Sequence, residues 1–420
     1  MTRGVGTGAR ASCARLAWWL EEHGYVGYDP FDGLSASLRP LARTAKARQI
    51  LQQGVRRFPG NVRPLLRIKP SRSTKGTSYV ARAQLKLTDL GSPFGGMFDA
   101  ARTQLDWLIG AASPGYSGPC WGNHFDYQSR VFWLPKGEPT VVWTALCGHA
   151  FIDGWEQLRD RRYLEVAEGV RTFILSDLER RPDGDGACIS YIPREYHSVH
   201  NASMLAAGFL ARLDLHSPSA DAVSVARDAV AYTVGCQRED GSWWYGEEAN
   251  LHWVDNFHTG YVLDSLWWYM VGTGDDEYVD AFRRGSWFFV GNFFLPSGLP
   301  KYYPHRAWPI DIQCAAQGIE TLALLATVLD PSLLELAERV ADWTIDHMQD
   351  PDGHFYFQIW PWATNTTPML HWGQATMLHA LSCLLMAQRE RLPGVLRRPA
   401  KTIGCRGAVH PNHSQKGPRR

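Results

Sequence analysis

The feature that most constrains this chain is a repeat. Apolar helical stretches opening on a small residue recur at Thr144 in VVWTALCGHAF, Ala202 in VHNASMLAAGF, Thr259 in NFHTGYVLDSL, Ala315 in IQCAAQGIETL and Gly373 in LHWGQATMLHAL. Successive starts lie 58, 57, 56 and 58 residues apart. A stretch at Gly76, KGTSYVARAQLKL, is a sixth member if the first repeat carries an insertion of about ten residues. Between the starts lie Tyr163–Leu175, Ala222–Val234, Tyr278–Val290 and Leu333–Met348, whose apolar positions follow helical spacing. Each period is therefore a helical hairpin plus a loop. A hairpin that buries its apolar face only against its neighbours must stack or close on itself. Six antiparallel pairs close into a ring, so the expected fold is all-α: an (α/α)6 toroid with inner and outer circles of helices and decorated loops on one face.

The repeat runs from about residue 72 to 388 without a linker and predicts one large domain. Residues 1–38 are expected to be an N-terminal helix, about 11–23, and a turn segment, GYVGYDPFDGL, packed on the toroid. The net charge of +1 conceals an asymmetry. Arg39 to Lys86 holds thirteen Lys and Arg and no Asp or Glu, and residues 389–420 hold nine basic residues against Glu390 alone. The body is acidic. Within the basic segment 39–71, residues 39–69 suit a basic amphipathic helix lying on an anionic membrane, or a solvated face answering the acidic body. The tail 389–420 reads as disordered. Basic charge invites nucleic acid, but no module that reads it is present and none is expected as a partner. Eight Cys without close pairs suit reduced thiols. With no apolar run of signal-peptide or membrane-span length, the expected location is cytoplasmic, peripheral to the inner membrane if the basic segment docks there.

Candidate site residues gather where the inner helices would point at a common mouth. These are His200 and Asn201, then Asp255 and His258, then Asp311 and Gln317, then His371 and Trp372. The preceding loops add Trp121, His124, Asp126, Trp244, Tyr245, Glu247, Tyr303, His305 and Arg306. Asp before a helix is also an ordinary N-cap worth about 1 kcal/mol, so Asp255 and Asp311 suit either job. Loop tryptophans suit ring-packing or stacking on sugar faces. The scattered His residues form no metal-ligand spacing, so neither metal nor other cofactor is expected.

The combination of GYDPFDGL, PGYSGPCWGNHFDYQSR, PTVVWTALCGHAF, VHNASMLAAGFLAR, QREDGSWWYGE, WVDNFHTGYVLDSL, PKYYPHRAWPIDIQCAAQGIETL and MLHWGQATMLHAL resembles the polysaccharide biosynthesis protein VpsJ family. The likeness spans about residue 15 to 388. It implies a toroid of the six-hairpin glycosidase or prenyltransferase-like kind and a role in exopolysaccharide or surface-glycan pathways. QREDGSW also resembles the QW repeat of triterpene cyclases, but their DxDD acid is absent and Gln and Trp there tie helices together.

The expected partner is an oligosaccharide or polysaccharide. The first expectation is glycoside hydrolysis, which needs two carboxyl groups, for which Asp255 and Asp311 are the candidates with Asp126 and Glu247 in reserve. Elimination or C5-epimerisation of a uronate instead needs an acid and base of the His or Tyr kind and a cation or amide for the carboxylate, roles that His200, Asn201, Tyr245, Tyr303, His305 and Arg306 suit. A third reading is a glycan-binding or assembly protein without catalysis.

Overall fold

The computed structural model describes residues 7–130 and 132–391. In chain order its helices are α1 (Thr7–Glu22), α2 (Ala45–Arg57), α3 (Thr74–Thr88), α4 (Met97–Gly110), α5 (Val141–Leu158), α6 (Arg161–Asp177), α7 (His200–Asp214), α8 (Ala220–Gly235), α9 (Asn256–Thr273), α10 (Val279–Phe293), α11 (Ile312–Val328), α12 (Leu333–Met348) and α13 (Thr376–Arg391). Helices α3, α5, α7, α9, α11 and α13 each touch the next, and α13 returns to α3, so the inner ring is closed. Each pairs with an outer helix: α4, α6, α8, α10, α12 and, for α13, the N-terminal α1. The chain is an (α/α)6 toroid.

The small residues that mark the repeat are buried here, Thr144, Ala202 and Ala315 completely. A Cβ on Gly373 would lie 3.1 Å from Ile312, and other small residues further along the inner helices are needed for close approach. A Cβ on Gly148 would lie 2.4 Å from the Phe209 ring, and one on Gly208 would lie 2.9 Å from the Ser265 backbone. Inner helices are covered on every side, whereas the outer ones bury one stripe and expose the other. Capping side chains fix where several inner helices begin: Ser73 accepts from Gly76 N (3.2 Å), Thr140 from Trp143 N (3.1 Å) and Asp255 from His258 N (3.1 Å).

A repeated turn ties the outer ring. Gln237 Nε2 donates to Gly241 O (3.0 Å) and to Ala281 O on α10 (2.9 Å). Gln349 Nε2 does the same with Gly353 O (2.9 Å) and Ser12 O on α1 (3.2 Å). Both glycines have left-handed backbones, φ +87° and +112°, and a Cβ on either would lie 2.6 Å from a carbonyl of the next outer helix, at Arg284 or Arg15. The turn after α12 therefore meets α1 as the turn after α8 meets α10, and α1 is the sixth outer helix.

The extra residues of the first repeat form the long loop between α4 and α5, which holds the strand pair β1 (Tyr127–Gln128) and β2 (Trp133–Leu134). A second hairpin, β3 (Arg180–Asp183) and β4 (Gly186–Ile189), turns at the Asp183–Gly186 stretch. A third sheet joins β5 (Ile310–Asp311), β6 (Gln358–Trp360) and β7 (Ala363–Asn365). The segment 39–69 is not one long helix; only Ala45–Arg57 is α-helical. Part of its charge is turned inward, since Arg63 is buried and donates to both oxygens of Asp32 (2.8 and 2.9 Å).

Candidate active site

Where the inner helices begin, a cavity of about 400 Å³ opens. Its floor comes from the first turns of α3, α5, α7 and α9 and from a π-helical turn, Leu370–Ala375, that leads into α13. Its walls are the GYDPF loop, α2, the β1–β2 loop and the loops before α9 and α11. A π turn is rare and widens the helix locally, which here turns both His371 and Trp372 to the cavity.

Two histidines face this space, each backed by a carboxylate. His258 Nδ1 lies 2.7 Å from Asp255 Oδ2, which also accepts the Trp253 indole N–H (2.9 Å). A carboxylate only accepts, so Nδ1 of His258 carries a proton, which leaves Nε2 as the nitrogen free to face the cavity. The second pair is His371 Nδ1 and Asp29 Oδ2, both buried, with Asp29 Oδ1 accepting from Phe31 N (2.9 Å). Burial pushes the His371 pKa down further than the Asp29 carboxylate raises it, and Lys75 adds to the fall. Burial would raise Asp29, but His371, His124 and the Phe31 N–H hold it below the usual carboxylate range. At neutral pH the pair is thus a carboxylate and a neutral imidazole, whose buried Nε2 has no partner.

Lys75, on the first turn of α3, is the buried cation beside the second pair. Its ammonium donates to Tyr261 OH (3.3 Å) and lies 5.1 Å from the Trp143 ring. Burial lowers its pKa to about 8, against the pull of Asp29 and Glu320. Arg56 on α2 stacks 4.6 Å from the Phe31 ring, and Arg57 and Arg130 line the rim. Lys75 and these three arginines face two carboxylates, Asp29 and Asp255, that already hold imidazoles. Aromatic walls complete the cavity: Tyr245 stacks on Trp253 (4.4 Å) and touches His258 (4.5 Å), and Trp372 meets Phe257 edge-on (5.3 Å).

Of the residues expected from sequence, Asp255, His258, Asn201, Tyr245, Tyr303, His371 and Trp372 line the cavity, and Asn201 Oδ1 is buried without a partner. The others lie elsewhere. Asp311 is buried with both oxygens taken, by Gln313 N (2.9 Å), Trp372 Nε1 (2.8 Å) and Gln358 Nε2 (2.5 Å). His200 is buried against Glu247 (2.7 Å) outside the cavity. Trp121 is core, its indole on Leu108 O (2.9 Å). Trp244 stacks on His252 at 3.7 Å. Asp126 pairs with Arg39 (2.7 Å), and Gln317 donates to Asp264 (2.7 Å) deeper in the barrel. His305 and Arg306 pack on Tyr303 at 5.9 and 4.5 Å. His124 is buried behind the wall, its pKa lowered to about 4 by burial. Sequence reasoning missed Asp29, read as a turn residue, and Lys75 and Arg56, lost among the basic run.

Groups able to hold a cation exist among the described residues: His200, Cys236 and Glu247; Glu320, His379 and Cys383; and Asp350, Asp352 and His354, each with ligand atoms within 4.8 Å of one another. None of these residues lines the cavity.

The fold and a cavity at the helix starts define the class. Among solved structures the chain is similar to the cellobiose 2-epimerase of Bacillus thermoamylovorans, at 12% identity and TM-score 0.57 over 76% of this chain and 88% of that one. It is similar to the GH76 α-mannanase of Bacteroides thetaiotaomicron, at 14% identity and TM-score 0.59 over 77% and 89%. A polysaccharide lyase matches at 13% identity and TM-score 0.56 over 77% and 92%. The protein shares the α/α toroid fold of these structures. No protein-family model matches the chain and no curated protein does, so the likeness to VpsJ proteins stands on the motifs quoted above. No helix among the described residues is long and apolar enough to cross a membrane.

Proposed function

We propose that the protein is a carbohydrate-active enzyme that moves a proton on a carbon of an acidic oligosaccharide, as a uronate epimerase or lyase. One observation carries this reading: two carboxylate-backed histidines face a single cavity in which cations outnumber carboxylates. A neutral imidazole Nε2 takes the proton from the sugar carbon beside the carboxylate. The electron pair moves onto the carboxylate, where Lys75 and Arg56 stabilise the added charge. If the other imidazole, protonated from solvent, delivers its proton to the opposite face of the carbon, the product is the epimer; if the electron pair instead expels the β-linked sugar oxygen, which takes that proton, the product is an unsaturated sugar. Tyr245, Trp253 and Trp372 offer ring faces to the sugar.

Glycoside hydrolysis is the second reading, supported by the presence of two cavity carboxylates, Asp29 and Asp255. Asp311 is no longer its candidate, since every oxygen it has is engaged away from the cavity. The resemblance to VpsJ proteins adds the context proposed here, the making of surface or exopolysaccharides on the cytoplasmic side.

The test is incubation with acidic and neutral oligosaccharides in D2O. Deuterium entering a ring C–H, or an unsaturated product absorbing in the ultraviolet, supports proton transfer and must vanish in His258→Gln and His371→Gln. New reducing ends without deuterium, lost in Asp29→Asn and Asp255→Asn, would move the assignment to hydrolysis.

A further inference from the structure

The basic segment does two jobs that sequence alone did not separate. Helix α2 turns Gln49, Gln53 and Arg56 to the cavity, and Gln52 and Val55 to the protein. Lys46, Ile50, Gly54 and Arg57, spaced as one helical face, are left in solvent. Around this face the flanking turns leave large apolar side chains uncovered. Leu41 is 79% exposed, Leu65 84%, Ile50 64% and Phe58 50%. Exposed Arg43, Lys46, Arg67 and Lys69 stand among them, and none has a carboxylate partner among the described residues. The segment has no Asp or Glu of its own. Close by, Asn365 Nδ2 donates to Phe58 O (3.0 Å), tying the β6–β7 hairpin to the end of α2. That hairpin carries Trp362, 77% exposed.

Apolar side chains that a soluble surface would bury, set among unpaired cations and beside an exposed tryptophan, match the chemistry of an anionic bilayer surface. Phosphate headgroups answer the Lys and Arg, while Leu, Ile and Phe enter the acyl boundary. We propose that the outward face of α2 and its flanking turns docks on an anionic lipid surface. Because Arg57 belongs both to that face and to the cavity rim, docking brings the mouth to the bilayer. The docking stands whatever reaction the cavity performs. Resting on the proposed function, it further selects a glycan carried at the membrane, attached to a lipid, over one free in solution.

Flotation of the full chain with vesicles tests this. Binding to vesicles containing phosphatidylglycerol, absent with phosphatidylcholine alone and weakened by added salt, is the expected result. The triple variant Leu41→Asp, Ile50→Asp, Leu65→Asp and, separately, the charge reversal Arg43→Glu, Lys46→Glu should each reduce partitioning about tenfold or more, with thermal unfolding unchanged. Vesicle binding equal in both variants and the parent would overturn the proposal, since another part of the chain would then be responsible. So would equal binding to neutral vesicles. A parent that sediments as a dimer, is monomeric in the triple variant and ignores vesicles would assign the face to a second copy instead.

Discussion

At the deep end of the inner ring, Arg82 on α3 and Arg212 on α7 both donate to Asp153 on α5 (2.9 and 2.5 Å), and Arg212 reaches Glu156 as well (2.8 Å). Glu320 on α11 pairs there with His379 on α13 (3.1 Å). At the shallow end of the same helices Lys75 has only a tyrosine hydroxyl, His371 keeps a bare Nε2 and Asn201 a bare carbonyl. Both ends are rich in buried ionisable groups, so burial alone does not mark a site. What differs is how charge is paired: the deep cations and carboxylates bond one another across three helices, even though Arg212 Nε and His379 Nδ1 have no partner of their own, whereas the shallow Lys75 bonds no carboxylate and lines a cavity. A buried polar atom without a partner costs about 1–3 kcal/mol, a cost that a ligand relieves. The deep network lies about two turns or more past the helix starts, taking α13 together with the π turn that leads into it, and ties the ring together. The shallow set lies at their first turns and is left to bind.

Breaking the shallow set should affect turnover most. His371→Gln and His258→Gln are each expected to lower kcat about a hundredfold or more, the usual worth of a positioned acid or base. Their urea midpoints should stay near that of the parent, because Gln retains a donor towards Asp29 or Asp255. A loss of turnover explained wholly by unfolding would break the contrast between the two ends.

The deep network gives the opposite pattern. Arg212→Ala leaves the buried Asp153 with one cation fewer and Glu156 without its Arg212 bond, and a broken buried pair costs about 3–5 kcal/mol. Urea denaturation should record that loss, with turnover per folded molecule unchanged. Inactivity in a fully folded Arg212→Ala protein would tie the network to the reaction.

Lys75 is the shallow cation whose cost can be read from pH. Burial holds its pKa at about 8, below the ordinary 10.5. The unfolded chain therefore binds this proton more tightly, so stability rises with pH between about 8 and 10.5. Below that window the charged, buried ammonium costs about 3 kcal/mol by the size of the shift. Lys75→Met removes the term, so its stability relative to the parent should be highest at neutral pH and should diminish as pH passes from about 8 to 10.5. Turnover on an acidic substrate should decline above about pH 8 in the parent as the cation is lost, and Lys75→Arg should abolish that limb. An unchanged limb in Lys75→Arg would assign the titration to another group.

The ring was legible because its cause is local and periodic. Small residues at Thr144, Ala202, Thr259, Ala315 and Gly373 mark the first turns of the inner helices, and a spacing near 57 residues exposes them. The site was legible only in part, because its residues come from separate loops. Yet the repeat register held a further signal. The residues just before the small starts are Lys75, Trp143, Asn201, His258, Cys314 and Trp372, and all but Cys314 line the cavity. Reading that column would have found Lys75 and Trp143. Asp29 has no such register, since it reaches His371 from a turn outside the repeat. Nor can spacing tell a capping Asp that faces a cavity from one that does not, as Asp255 and Asp311 demonstrate.

That last pair gives the smallest expected effect and the sharpest choice between mechanisms. Asp311 caps α11 through Gln313 N and holds the Trp372 indole and the Gln358 amide, and burial raises its pKa against the effect of Arg56 and these donors. In Asp311→Asn the carbonyl kept at Oδ1 still takes the Gln313 and Trp372 N–H groups, while the amide replaces the acceptor of Gln358 Nε2. A stability loss of about 1–2 kcal/mol follows from the weakened cap and the lost bond. Turnover should stay within about threefold, because Trp372 is braced by Phe257 and Phe31 as well. A folded Asp311→Asn protein that loses a hundredfold or more, as a catalytic carboxyl would require, would mean that this acid moves into the cavity when substrate binds. Hydrolysis through Asp255 and Asp311 would then displace proton transfer through the two histidines.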